Sequence, residues 1–315
     1  MDQNEYNSWI NNYYGTGGYH DNSKREALIN DIYAKFNHQD PFDFIFLMIN
    51  NTSTNPPNNS WPYGELLRVS NNVSGIGLSI DNSQCALYGS AGKLKSVMSL
   101  CNTRALTYGP SLHEIMHTWG NFIIPTQDLD ASGNTIPGMP HWGISGADVN
   151  PRLGGAKESA IVDLGSGVYQ LIGGPRGNDG GYSQMELYLM GMISLSSVQP
   201  FSVFSNVRNP SHVTNGVQFS GTRKIYQQAD IVSAAAAAAS GSGTRVPSSD
   251  TSQKSFRLLL VILTPTPLTA DQWTAFDQAS ENFGRYPAHN DNYPGVYNFY
   301  EATGGRATMQ TGNLK

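Results

Sequence analysis

Charge is what this sequence has least of. Only 14% of its 315 residues are charged, against about a quarter in ordinary soluble domains, and the 19 Lys and Arg are scattered without runs. With a formal net charge of -5 there is no basic patch to meet a phosphate backbone or an anionic membrane surface, so nucleic acid is not an expected partner. Long apolar runs are missing as well. Even Leu258–Leu263, which Phe44–Ile49 equals and no run exceeds, falls far short of the roughly 20 residues a bilayer demands, so no membrane span is expected. The first thirty residues lack the charged start and apolar stretch of a signal peptide, which leaves either a mature exported chain or one that stays inside the cell. Cysteine is scarce too. Cys85 and Cys101, each near a β-like stretch, make one disulfide across neighbouring strands the expected pairing.

Gly, Asn, Ser, Thr and Tyr carry the polar surface instead, a balance closer to secreted bacterial proteins than to cytosolic ones. The length suffices for a large core without disulfide staples. Ser23-x-x-Glu26 opens a helix with Leu28, Ile29, Ile32, Tyr33 and Phe36 on one face. FDFIFLMIN (42–50) and FRLLLVIL (256–263) are continuously apolar and read as buried strands. GIGLSI (75–80) and KLKSVMSL (93–100) read as further strands, and the Asn- and Pro-rich stretch 50–64 as an irregular loop. From 121 to 182 the chain is rich in Gly, Asn, Asp and Pro with little periodicity, so loops around a cleft are expected. Helices follow at YSQMELYLMG, around Ala234–Ala239 and from Thr269 to Phe283, with strands between about 201 and 227. The tail YNFYEATGGRATMQT reads as strand, Gly-Gly turn and strand.

The informative run is SLHEIMHTWGNF. His113-Glu114-x-x-His117 puts two imidazoles one helical turn apart on one face, where both can reach a single ion. Leu112, Ile115, Met116 and Trp119 form a separate apolar stripe that faces the core. With 7 His in the chain, on the order of 0.004 such motifs arise by chance. Zn²⁺ with imidazole ligands activates a water, and Glu114 is placed to act as its general base.

A third ligand is required. The metzincin continuation H-E-x-x-H-x-x-G-x-x-H keeps Gly120 but has Ile123 where the last His belongs. His141 in PGMPHWGISG is favoured, because imidazole suits Zn²⁺. Glu186 is the alternative, with a competing explanation as N3 of a Ser183-x-x-Glu186 capping box. Tyr188 is a candidate to stabilise a tetrahedral intermediate. Asp128, Asp130, Asp148 and Asp179, in Gly/Asn-rich loops, are candidates for structural Ca²⁺.

HEIMHTWG, then HW, YSQMELYLMG, FRLLLVIL and ATGGRAT together resemble bacterial zinc-metalloprotease-like domains of the zincin type, distantly similar to the immune-inhibitor-A peptidases. The resemblance spans about 105–310 and is concentrated in these short motifs. It implies an extracellular peptidase with His113, His117 and Glu114 in the roles above. It departs at Thr126, where those enzymes carry an acidic third ligand.

The expectation is therefore one α+β, zincin-like catalytic domain over 1–315. An upper lobe of about 1–120 would hold a twisted mixed sheet and the metal helix, and a lower lobe of about 121–315 would supply the third ligand. Its function would be zinc-dependent hydrolysis of protein or peptide substrates, with the edge near 75–80 pairing with the extended substrate. Two rivals use the same residues: a zinc amide hydrolase acting on a non-peptide substrate, and a binding or adhesion module on the same scaffold without turnover.

Overall fold

Phe44–Ile49 (β1) has six apolar residues in a row because both of its faces are covered, and all six are buried. In the computed structural model, which describes residues 1–12, 22–35, 40–50, 64–173, 177–212, 216–238, 241–289 and 292–312, this strand is the centre of a five-stranded sheet. Gly64–Arg68 (β2), Ser96–Leu100 (β3), Ser255–Leu263 (β12) and Thr308–Gln310 (β13) complete it in the order β13-β12-β1-β3-β2. Every pairing is parallel except β2 with β3, so the edge at β2 is antiparallel. The chain is thus α+β with a mixed sheet.

The helices are α1 (Gln3–Asn12), α2 (Asn22–Lys35), α3 (Thr103–Thr107), α4 (Ser111–Met116), α5 (Gln184–Met190), α6 (Gln228–Ala237), α7 (Ala270–Gly284) and α8 (Phe299–Ala302). Alternation along β1 turns Phe44 and Phe46 to one side. There Phe46 meets Phe283 of α7 with ring centroids 6.0 Å apart, and Phe44 meets Trp119, just past α4, at 6.1 Å. The segment just past α4 is thereby packed against the middle of the sheet. Buried Asp43 ties β1 to its neighbour by accepting from the Arg257 backbone N–H at 2.9 Å and from Gln253 Nε2 at 2.8 Å.

Between α4 and α5 lie Gln127–Leu129 (β4) paired with Thr135–Pro137 (β5), and Gly146–Ala147 (β6) paired with Ala156–Lys157 (β7). Ile161–Gly165 (β8) and Val168–Leu171 (β9) join Phe201–His212 (β10) and Val217–Tyr226 (β11) in an antiparallel sheet of order β10-β11-β9-β8. Tyr169, Phe204, Val207 and Phe219 give that sheet a small core of its own.

Several expectations are corrected. The stretch 121–182 is not all loop; β8 is exposed along most of its length, so burial imposes no hydrophobic alternation that the sequence could display. Residues 75–80 form no strand, and the sheet edge is β2. Gly75 and Gly77 there have φ of +74° and +81°, and a Cβ on Gly77 would lie 1.9 Å from the Phe122 carbonyl oxygen. Gly77→Ala is therefore expected to cost about 2–4 kcal/mol, through left-handed strain together with backbone displacement. Urea unfolding measures this, and a change within 0.5 kcal/mol, about the ordinary surface range, would contradict it. The first half of the tail is a helix, α8, capped by Asn298 and Glu301, because their reciprocal bonds satisfy its first turn. Cys85 and Cys101 are free and buried rather than bonded. Cys85 lies in a 3₁₀ turn instead of on a paired strand, and burial pushes the Cys101 thiol up to about 12, so both serve as small apolar core residues. β12 and β13, from late in the chain, complete the sheet that β1, β2 and β3 begin. Residues 51–63 of the Asn- and Pro-rich loop lie outside the described residues. No helix among the described residues is long and apolar enough to cross a membrane.

Candidate metal centre

Leu112, Ile115 and Met116 on α4 are completely buried, which fixes the rotation of the helix and leaves His113 and His117 on a different face. The regular helix ends at Met116, but His117 keeps helical dihedrals of -59° and -16°, so its imidazole stays one turn beyond that of His113. The two Nε2 atoms are 3.1 Å apart. His141, far along the chain, brings its Nε2 to 3.3 Å from that of His113. Two nitrogens at 2.0–2.1 Å from one tetrahedral ion would be about 3.3 Å apart, so the observed spacing suits zinc without rearrangement.

The His113 ring is aimed by a hydrogen bond behind it, and the His141 loop is held through its backbone. His113 Nδ1 donates to the Arg152 carbonyl at 2.6 Å, which puts the proton on Nδ1 and leaves the Nε2 lone pair facing the cluster. The His141 carbonyl accepts from Asn121 Nδ2 at 3.0 Å and from Thr126 Oγ1 at 2.9 Å. The Asn121 N–H donates to the Pro140 carbonyl at 3.0 Å, so the loop after α4 carries the loop that bears His141. Burial holds the imidazoles neutral: His113 is lowered to about 4 and His117 to about 3, and His141 is also lowered.

Glu114 faces the same cleft, a space of about 500 Å³ walled by β2, Phe122 and Pro140. Burial pushes its carboxyl up to about 7, with a hydrogen bond from the backbone of Leu66 pulling the other way. Gly64 makes room for it, since a Cβ there would lie 3.0 Å from Glu114 Cγ.

No protein-family model, curated protein or solved structure matches the chain. What this centre can do follows from its own chemistry. Among the described residues, His113, His117 and His141 are the only group of three or more potential ligand side chains close enough to share an ion.

The other candidates stand elsewhere. Glu186 is fully buried, and its oxygens accept from the Leu153 N–H at 2.9 Å, Trp142 Nε1 at 3.1 Å and the Ser183 N–H at 2.8 Å. It caps α5 and joins the segment after His141 to the segment after Arg152, and it is not part of the three-histidine cluster. Tyr188 is buried in the core, where its hydroxyl accepts from the Arg245 N–H at 3.1 Å. Of the four aspartates, Asp128 and Asp130 accept backbone N–H groups in their own turns, Asp148 accepts from the Gln184 N–H, and Asp179 pairs with Arg152 at 2.8 Å. The residues that the sequence did not reveal are Asn121, Thr126 and Arg152, for which its one cue is nearness to the motif and to His141.

Proposed function

We propose that the protein is a zinc-dependent endopeptidase of zincin-like fold, with His113, His117 and His141 as metal ligands and Glu114 as general base. What carries this reading is a cluster of three converging imidazoles and the buried Glu114 carboxylate, both opening on one cleft beside β2, the edge strand among the described residues. A zinc ion in such a donor set supplies a Lewis acid and brings the pKa of water down to about 7. Glu114, itself raised to about 7, is matched to take the proton of the attacking water and return it to the departing amine. An extended peptide pairing with the outer backbone of β2 would present its carbonyl towards the cluster. A surface low in charge suits an enzyme working outside the cell.

The lowered imidazoles have a consequence for metal retention. Protons compete for the His113 and His117 nitrogens only near their acidic values, so these two ligands together should change zinc affinity less than about threefold between pH 7.5 and 5.5. Two ordinary imidazoles would lose about 100-fold over the same drop. Competition titration with a chromophoric chelator at both pH values measures the difference, and a 100-fold loss would show that the rings are solvated.

The function is tested by hydrolysis of casein or gelatin by the zinc-loaded protein, set beside Glu114→Gln. Chelator-sensitive cleavage that disappears in the variant is expected. Bound zinc with no cleavage of any protein would overturn the peptidase reading in favour of a binding module.

A further inference from the structure

We propose that Arg68 is the specificity-determining residue of this cleft, holding a carboxylate of the substrate beside the metal centre. The proposal rests on the peptidase reading for its substrate and on the cleft alone for its chemistry. Side chains alternate along β2, so Arg68 shares a face with Gly64 and Leu66, the face turned to Glu114. Its guanidinium carbon lies 4.7 Å from the ring centroid of Phe122, and both residues line the cleft. Stacking on an aromatic face fixes the guanidinium plane while leaving the in-plane N–H fork free.

Among the described residues that fork has no counter-ion. Arg68 forms no ion pair among the described residues, and its Nε is buried without a hydrogen-bond partner. The neighbouring acid on β2, Glu65, is taken by Arg25 at 2.6 Å. Arg152, the other arginine near the cluster, shares the unpartnered Nε, but its two terminal nitrogens are engaged by the Asn150 and Gly177 carbonyls and by the Asp179 carboxylate. Burial lowers the Arg68 guanidinium from its usual value, as it also lowers His117 beside it. A cation held partly out of water with no acceptor is costly unless a ligand completes it, and a carboxylate matches the two parallel donors of guanidinium. The cleft therefore selects peptides with a carboxylate close to the scissile bond. This is either an Asp or Glu side chain or the free C-terminus.

The test has two readouts. Cleavage sites are mapped in a mixed peptide library, and the best site is remade as a Glu/Gln pair and as free-acid and C-terminal amide forms. For the wild type, kcat/KM is expected to favour one carboxylate form by about 10–100-fold, with the ratio falling towards one in Arg68→Gln and remaining intermediate in Arg68→Lys. A Glu/Gln effect identifies a side-chain anchor, and an acid/amide effect a C-terminal one. No preference in the wild type, or a preference that survives in Arg68→Gln, overturns the proposal. The second readout needs no turnover: calorimetric titration of the zinc-loaded protein with glutarate. About tenfold weaker binding in Arg68→Gln, with zinc content kept, supports the site even if no peptide is cleaved, in which case the peptidase reading alone fails. Equal binding in both proteins means that glutarate meets only the metal, and the carboxylate site is refuted.

Discussion

Glu114→Gln is expected to lower peptide hydrolysis by about 10²–10⁴-fold while zinc stays at one per chain, because the amide keeps the size of the carboxylate but cannot accept a proton. Glu114 is not among the three converging nitrogens, so the variant leaves the ligand set intact. Its carboxyl sits close to β2, with Gly64 leaving it only the space it needs. The amide should therefore occupy the same place. Steady-state kinetics on a casein-derived peptide, with elemental analysis of the same preparation, separates the two effects. Loss of zinc together with activity would make Glu114 a structural support of the site. Retained activity would place the base elsewhere.

His141→Ala should weaken zinc binding by about 10²–10³-fold, taking an even share of the 10–16 kcal/mol typical of four-ligand sites, with hydrolysis lost in proportion. The fold should survive, because His141 is only partly buried and its loop is held through its backbone by Asn121 and Thr126. Glu186→Gln reverses the pattern. A buried amide there must turn a donor towards N–H groups that the carboxylate satisfied, which costs about 1–3 kcal/mol or more, whereas zinc affinity falls only about 10–100-fold. Thermal unfolding and chelator competition on both variants distinguish ligand from support. Equal zinc loss with equal destabilisation would mean that the two residues act as one unit.

How much of this was legible beforehand varied with the kind of signal. β1 was readable because a strand buried on both faces must be apolar throughout, and β12 from its apolar run, although much of it is only partly buried. The α7 helix was readable from its helical spacing between Thr269 and Phe283, with Phe276 and Phe283 buried and Trp273 left exposed. The exposed strand β8 carried no such imprint, and the Gly-rich turn at 75–80 imitated a strand by composition while its positive φ values ruled one out. Cysteine spacing suggested a bond because spacing says nothing of direction, and both thiols are free in the core.

For the candidate site the division follows sequence distance. Within one helical turn, geometry is dictated by the 3.6-residue period, so His113, Glu114 and His117 could be placed together from the motif alone. The choice between His141 and Glu186 could not be made that way, since either lies within reach along the chain. The hydrogen bonds of the fold set the two apart: Asn121 and Thr126 hold the His141 loop over α4, which puts its imidazole beside His113 and His117, while Trp142, Leu153 and Ser183 occupy the oxygens of Glu186. The identity of the sheet edge, and with it the place of Arg68 in the cleft, likewise depended on strand order. The sequence by itself determined the local chemistry of the metal helix and the strands whose burial leaves a continuous apolar imprint. Tertiary structure decided which distant groups complete the site, because long-range contacts are selected by packing and polar satisfaction that no single segment encodes.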